Sequence, residues 1–144
     1  MLGRVTTPQN LDERFRDAVK AFEAPESRRT PDEPLRDGAA LTGARALQLF
    51  DAQLTSRHLD LAARWLRSFN EGFYTIGSAG HEGNAAVAAA LRLDDPALLH
   101  YRSAAFFCAR AGSLTSVGDH LVDAARDVLR GVVASAKEPI AGGR

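Results

Sequence analysis

Apolar side chains return along this chain at close to the helical period in several stretches, and polar segments rich in proline and glycine separate them. Leu11, Phe15, Val19 and Phe22 repeat at near-helical spacing behind Asn10, an N-cap residue with Glu13 three positions later, which predicts an amphipathic helix over Leu11 to Glu23. Glu23 to Gly38 carries three prolines and alternating charges and reads as an exposed linker. Thr42 then caps the longest pattern. Leu47, Phe50, Leu54, His58, Leu61, Trp65 and Phe69 fall on one stripe, with Arg45, Arg57, Arg64 and Arg67 largely on other faces. At 1.5 Å per residue this helix is roughly 40 Å long, and Asn70-Glu71-Gly72 ends it. The stripe is expected to lie on one continuous helix, with some of it left exposed.

Beyond Gly72 the pattern shortens. Phe73 to Gly80 reads as a shaped loop, His81 to Leu91 as an alanine-rich helix, and Asp94-Asp95-Pro96 as a turn. Ala97 to Tyr101 is a short apolar run expected to be a buried strand. Ser103 can cap a helix that Gly112 closes, and Ser116 opens a last one with Val117, Leu121, Val122, Ala125, Val128, Leu129, Val132 and Val133 on one wide face. Lys137 to Arg144 is rich in glycine and contains a proline. The organisation expected is an amino-terminal helix and linker over 1–40 and one domain over 41–144. The elements are mainly α with one strand, which is also how the opening portion of an α/β domain would look.

Composition narrows the classes of function. Eighteen basic residues balance eighteen acidic ones, with no basic block, so charge provides no case for nucleic acid or an anionic membrane. The lone cysteine, Cys108, sits in an apolar run and reads as a small buried hydrophobe. The amino terminus lacks the apolar core of a signal peptide, and no apolar run reaches the ~20 residues of a spanning helix, so the expected compartment is the cytoplasm.

Candidate chemistry concentrates between Gly72 and Ser103, where Phe73, Tyr74, Ser78, His81, Glu82, His100, Tyr101 and Arg102 surround a glycine-bearing loop. An arginine where an extended segment meets a helix start can grip a phosphate through two parallel charge-assisted hydrogen bonds. The plainer reading of Arg102 is a surface cation beside a half-buried tyrosine.

The run GFYTIGSAGHEGNAAVAAALRLDDPALLHYRSAAFFCARAG resembles the early part of the α subunit of the decarboxylating first component of 2-oxoacid dehydrogenases, of the branched-chain and pyruvate type. The likeness rests on an aromatic-led loop, Gly80-His81-Glu82-Gly83, a small-residue helix, an Asp-Asp turn and Tyr101-Arg102, and it covers about Leu41 to Val133. It implies the amino-terminal portion of an α/β thiamine-diphosphate-binding fold, with Tyr101 and Arg102 on the cofactor's diphosphate and Phe73, Tyr74 and Ser78 around the substrate. It also implies magnesium as a second cofactor. The metal motif of that family, Gly-Asp-Gly with a later asparagine, has no match here beyond Gly118-Asp119-His120, and no asparagine follows Asn84. The chain is therefore expected to be a fragment, inactive alone, with no catalytic residue of its own and no metal ligand. Glu82 is expected to brace the helix start rather than act as a base. The partners implied are a β-type dehydrogenase half, separate or fused, and a lipoyl-bearing acyltransferase. The alternative is a non-catalytic helical interaction protein built on the same scaffold.

Overall fold

Thr42 starts the dominant element. Its extended backbone and its hydroxyl, which accepts a hydrogen bond from the Arg45 amide at 3.2 Å, release the chain into a 26-residue helix, Gly43–Ser68. The structure, a computed structural model, describes residues 10–23, 28–73, 76–112, 119–140 and 142. In chain order the helices are α1 (Leu11–Lys20), α2 (Gly43–Ser68), α3 (Asn84–Ala90, preceded by a 3₁₀ turn at His81–Gly83), α4 (Ala104–Ala111) and α5 (Asp119–Val132). The protein is mainly α, and no helix among the described residues is long and apolar enough to cross a membrane.

Two compact units divide between Thr30 and Pro31. The first holds α1, which ends at Lys20 rather than Glu23; Asn10 precedes it without a side-chain cap bond. Phe15, Val19 and Phe22 are exposed there.

In the second unit, Pro31 to Leu41 folds back on the start of α2. The Leu35 amide donates to the Leu41 carbonyl at 2.9 Å and the Ala44 amide to the Pro31 carbonyl at 2.7 Å. A β-carbon at Gly43 would stand 3.2 Å from the Pro31 carbonyl oxygen, which is why a residue without a side chain opens this helix.

α2 ends in a Schellman motif. Asn70 takes the left-handed conformation (φ 59°), the Asn70 amide donates to the Arg67 carbonyl and the Glu71 amide to the Leu66 carbonyl, each at 3.0 Å. α5 closes the same way with Ala134 at φ 49° and the Ser135 amide on the Arg130 carbonyl at 2.8 Å.

The core lies around α4. Ala104, Ala105, Phe106, Cys108 and Ala109 are buried, facing Ala52 and Leu59 of α2, Ala85 and Ala88 of α3 and Ala124 of α5. Most of these side chains are small, so the helices approach closely and the core is made of short contacts rather than large interlocking groups. Cys108 is fully buried, as a small hydrophobe in this run should be.

The face of α2 that packs is Ala52, Ser56, Leu59, Asp60 and Ala63. The stripe of large residues points the other way: Leu47, Phe50, Leu54, Leu61, Trp65 and Phe69 are between 41% and 62% exposed. The helix is continuous through His58, which is itself exposed on that stripe.

Ala97 to Tyr101 departs from expectation. It is irregular rather than a strand, and Leu98 is fully exposed with Leu99 about half exposed. A single extended segment has no ladder to join, because the one β-bridge among the described residues is Pro34 with Thr42. The opening of the last helix around Ser116 lies outside the described residues.

Candidate functional site

The loop after α2 is placed by contact with the end of α5. Gly72, at φ 85°, lets the chain run so close that an added β-carbon would lie 2.9 Å from the Val132 carbonyl oxygen. The Phe73 amide then donates to that same carbonyl at 3.2 Å. Five residues on, the loop is tied to α2. Ser78 donates both its amide (2.8 Å) and its hydroxyl (2.9 Å) to one oxygen of Asp60, and both residues are buried.

The second oxygen of Asp60 faces Arg57 at 3.4 Å and Arg64 at 3.8 Å, two cations whose side chains are partly in water. A buried carboxylate persists where its lone pairs are met in this way. The loop closes with Gly80 in a left-handed turn, whose amide donates to the Glu82 carboxylate at 2.7 Å. Glu82 also stands 4.0 Å from Arg57. It braces the start of the 3₁₀ turn, the role expected for it.

The segment entering α4 is fixed at its backbone. The Ser103 amide donates to the His100 carbonyl at 2.8 Å, and the Arg102 amide to His100 Nδ1 at 3.3 Å. The His100 and Tyr101 rings lie 4.1 Å apart, and the Arg102 guanidinium stands 5.8 Å from the Tyr101 ring centre. Ser103 occupies the cap position of α4 without a side-chain cap bond. Upstream, Asp95 is gripped by Arg92 through Nε and Nη2 at 3.0 and 2.8 Å, and this arginine holds its carboxyl below the usual range.

These pieces bound one cavity of about 500 Å³, within the ordinary range for a small-ligand site. Its walls come from α2 (Ser56, Leu59, Asp60, Ala63), the loop (Phe73, Ile76, Ser78), the segment Leu99 to Ser103, α4 (Ala104, Phe107), the end of α5 (Asp127, Val128, Gly131, Val132), and Glu138 to Ile140. Of the residues singled out from sequence, Phe73, Ser78, Tyr101 and Arg102 are therefore brought together. Tyr74 lies outside the described residues.

The walls are mostly apolar, and their charged groups are unequal. Asp60 is taken by Ser78 and two arginines; Asp127 accepts from Arg130 at 2.8 Å. Glu138 accepts from the amides of Ile140 and Gly142 at 3.0 and 3.1 Å. Arg102 has no carboxylate: its Nε is buried without a hydrogen-bond partner, and no ion pair engages its guanidinium among the described residues. Ser56, 1% exposed, also leaves its hydroxyl oxygen without a partner. A half-buried cation facing an apolar hollow suits a ligand with an anionic end and an apolar body.

Sequence reasoning missed Asp60 and Ser56. Both lie on the face of α2 that carries Ala52, Leu59 and Ala63, and that grouping of mostly short side chains on one face was the available signal. The residues fit the anionic end of a diphosphate cofactor. No group of three or more His, Cys, Asp or Glu side chains that could hold a metal ion occurs among the described residues.

Comparison with known proteins provides no relative: no family model, no curated protein and no solved structure matches this chain.

Proposed function

We propose that this chain is the opening region of the α-type half of a thiamine-diphosphate-dependent 2-oxoacid dehydrogenase, and that its cavity receives the diphosphate at Arg102. On this reading the α-helices belong to the amino-terminal portion of an α/β thiamine-diphosphate-binding fold, and cytoplasmic placement follows from the same assignment. The observation that carries the reading is the meeting of Phe73, Ser78, Tyr101 and Arg102 around one apolar cavity in which Arg102 alone is a cation without a carboxylate.

Each residue then has a defined task. Arg102 donates charge-assisted hydrogen bonds to phosphate oxygens from a half-buried position. Tyr101 flanks it, and its ring limits where the guanidinium can turn. Phe73 and Leu99 line the cavity beside the anionic group. Ser78, held by Asp60, presents a fixed oxygen to the ligand. Bound thiamine diphosphate supplies the nucleophile for the 2-oxo carbon and the electron sink for loss of carbon dioxide. Magnesium, a β-type half and a lipoyl-bearing acyltransferase complete the system in this proposal.

The test is a titration of the 144-residue chain with inorganic pyrophosphate and with thiamine diphosphate, each with magnesium, followed by amide NMR. Weak binding is expected, with shifts centred on Tyr101 to Ser103. A single arginine offsets only part of the cost of desolvating so charged an anion. Arg102→Ala should weaken the response by about one to two decades, the loss of a charge-assisted hydrogen bond of roughly 1.5–3 kcal/mol, with the fold intact. Unchanged spectra around Arg102 at millimolar ligand, or binding indifferent to the substitution, would remove the assignment.

A second reading, a helical interaction protein, draws on the outward stripe of α2. It predicts no ligand response at Arg102 and a partner on the opposite face of the helix.

A further inference from the structure

The outward stripe of α2 has a symmetry of its own. Its residues, Leu47, Phe50, Leu54, His58, Leu61, Trp65 and Phe69, follow each other at steps of 3, 4, 4, 3, 4 and 4. That is an eleven-residue repeat, about 3.67 residues per turn, so the stripe drifts only slowly around the helix, in the sense that favours a right-handed crossing of paired helices. The large side chains stand at matching distances from His58. Leu54 and Leu61 are 4 before and 3 after it, Phe50 and Trp65 are 8 and 7 away, and Leu47 and Phe69 are 11 away on either side. The order read from either end is nearly the same.

We infer that this stripe is a self-association surface, on which a second copy of the chain lays its own α2 antiparallel, with the two-fold axis at His58. A closed two-fold interface joins a patch to itself with its ends exchanged, so it requires this kind of near-palindrome. In the pair, Leu54 meets the partner's Leu61, Phe50 meets the partner's Trp65, and Leu47 meets the partner's Phe69. The overlap is about 22 residues, roughly 33 Å of helix.

The face that packs within the domain (Ala52, Ser56, Leu59, Ala63) is on the other side of α2, so pairing disturbs nothing in the core or the cavity. The Trp65 and Phe69 rings already stack edge to face at 4.9 Å, a preformed end to the surface. With the exposures of the six large residues, the stripe presents about 600 Å² per copy, about 1,200 Å² for the pair, at the lower edge of a specific stable interface. A dimer that dissociates on dilution through the micromolar range is therefore expected.

Sedimentation velocity on the full chain, from low to several hundred micromolar, reads this directly. Wild type should move from monomer to dimer. Leu54→Glu, on an exposed position beside the axis, should raise the dissociation constant by two decades or more, with circular dichroism unchanged. His58→Cys supplies a second, geometric readout: a cysteine on the axis meets its own copy, so mild oxidation should link two chains through it, whereas Thr55→Cys should not. A monomer at every concentration, the result expected if a different protein covers the stripe, overturns the inference. So does a dimer indifferent to Leu54→Glu, or one abolished instead by Phe15→Glu on α1. Failure to crosslink in a chain that does dimerise overturns the antiparallel register. None of these outcomes bears on ligand binding at Arg102.

Discussion

Removing the carboxylate of Asp60 would strand two donors of Ser78 in a buried place and free the loop from α2. Asp60→Ala should cost about 1–3 kcal/mol, the penalty of an unmet buried amide and hydroxyl. The two arginines add little, being partly solvated. Asp60→Asn keeps an oxygen for Ser78 and should cost distinctly less. Urea unfolding of both variants, with amide exchange read at Ser78, distinguishes this from a simple charge effect, which would make the two alike. Ala134 offers the opposite sign. Its left-handed backbone (φ 49°) is the position where helices usually place glycine, and a β-carbon there is strained. Ala134→Gly should stabilise by about 0.5–1 kcal/mol and raise the melting temperature by a few degrees, after the added freedom of the unfolded chain is subtracted. A lower melting temperature would show that the last turn of α5 is already relaxed.

At the scale of elements, much was legible and the remainder failed for definite reasons. The start of α2 at Thr42 followed from its hydroxyl, its end from Asn70-Glu71-Gly72, and its continuity from an unbroken apolar period. What periodicity could not settle is which face packs. Large apolar residues dominate any hydrophobic pattern, yet α2 buries its small ones, because helices whose contact faces carry alanine and serine can approach closely. Ala97 to Tyr101 failed as a strand because pairing is a property of two segments, and a single segment's composition contains only half of it. Of the site, Arg102, Tyr101, Phe73 and Ser78 were visible as residue types around a glycine-bearing loop, and the structure places them on one cavity. Asp60 was hidden because an aspartate among arginines on a helix reads as an ordinary solvated pair. Its burial depends on a loop arriving 18 residues later.

On the scale of the whole molecule, α4 joins the parts of the second unit: α2, α3 and α5 all pack against eight mostly small residues, so loosening α4 loosens everything around it. Cooperative unfolding of this unit is the natural consequence of so short a central element. The cavity shares that dependence, since Ala104 and Phe107 of α4 form part of its wall.

Cys108, at the middle of α4, turns this architecture into a clock. Its thiol has no path to solvent in the closed molecule, and burial pushes it up from 9.0 to about 11, so neither access nor ionisation allows reaction while the core is shut. Between those two values the open chain releases a proton that the closed one keeps. Stability from this group is intact below pH 9 and drains away as pH climbs through 11, by about 2–3 kcal/mol at most. Chemical denaturation of wild type against Cys108→Ala across that window should show the steeper decline in wild type; parallel curves would mean that the thiol titrates freely. Below it, one irreversible thiol reagent suffices to count openings. With fast reclosing the labelling rate reports how often the core is open, and with slow reclosing how soon it opens, from a reporter the chain carries at a single atom.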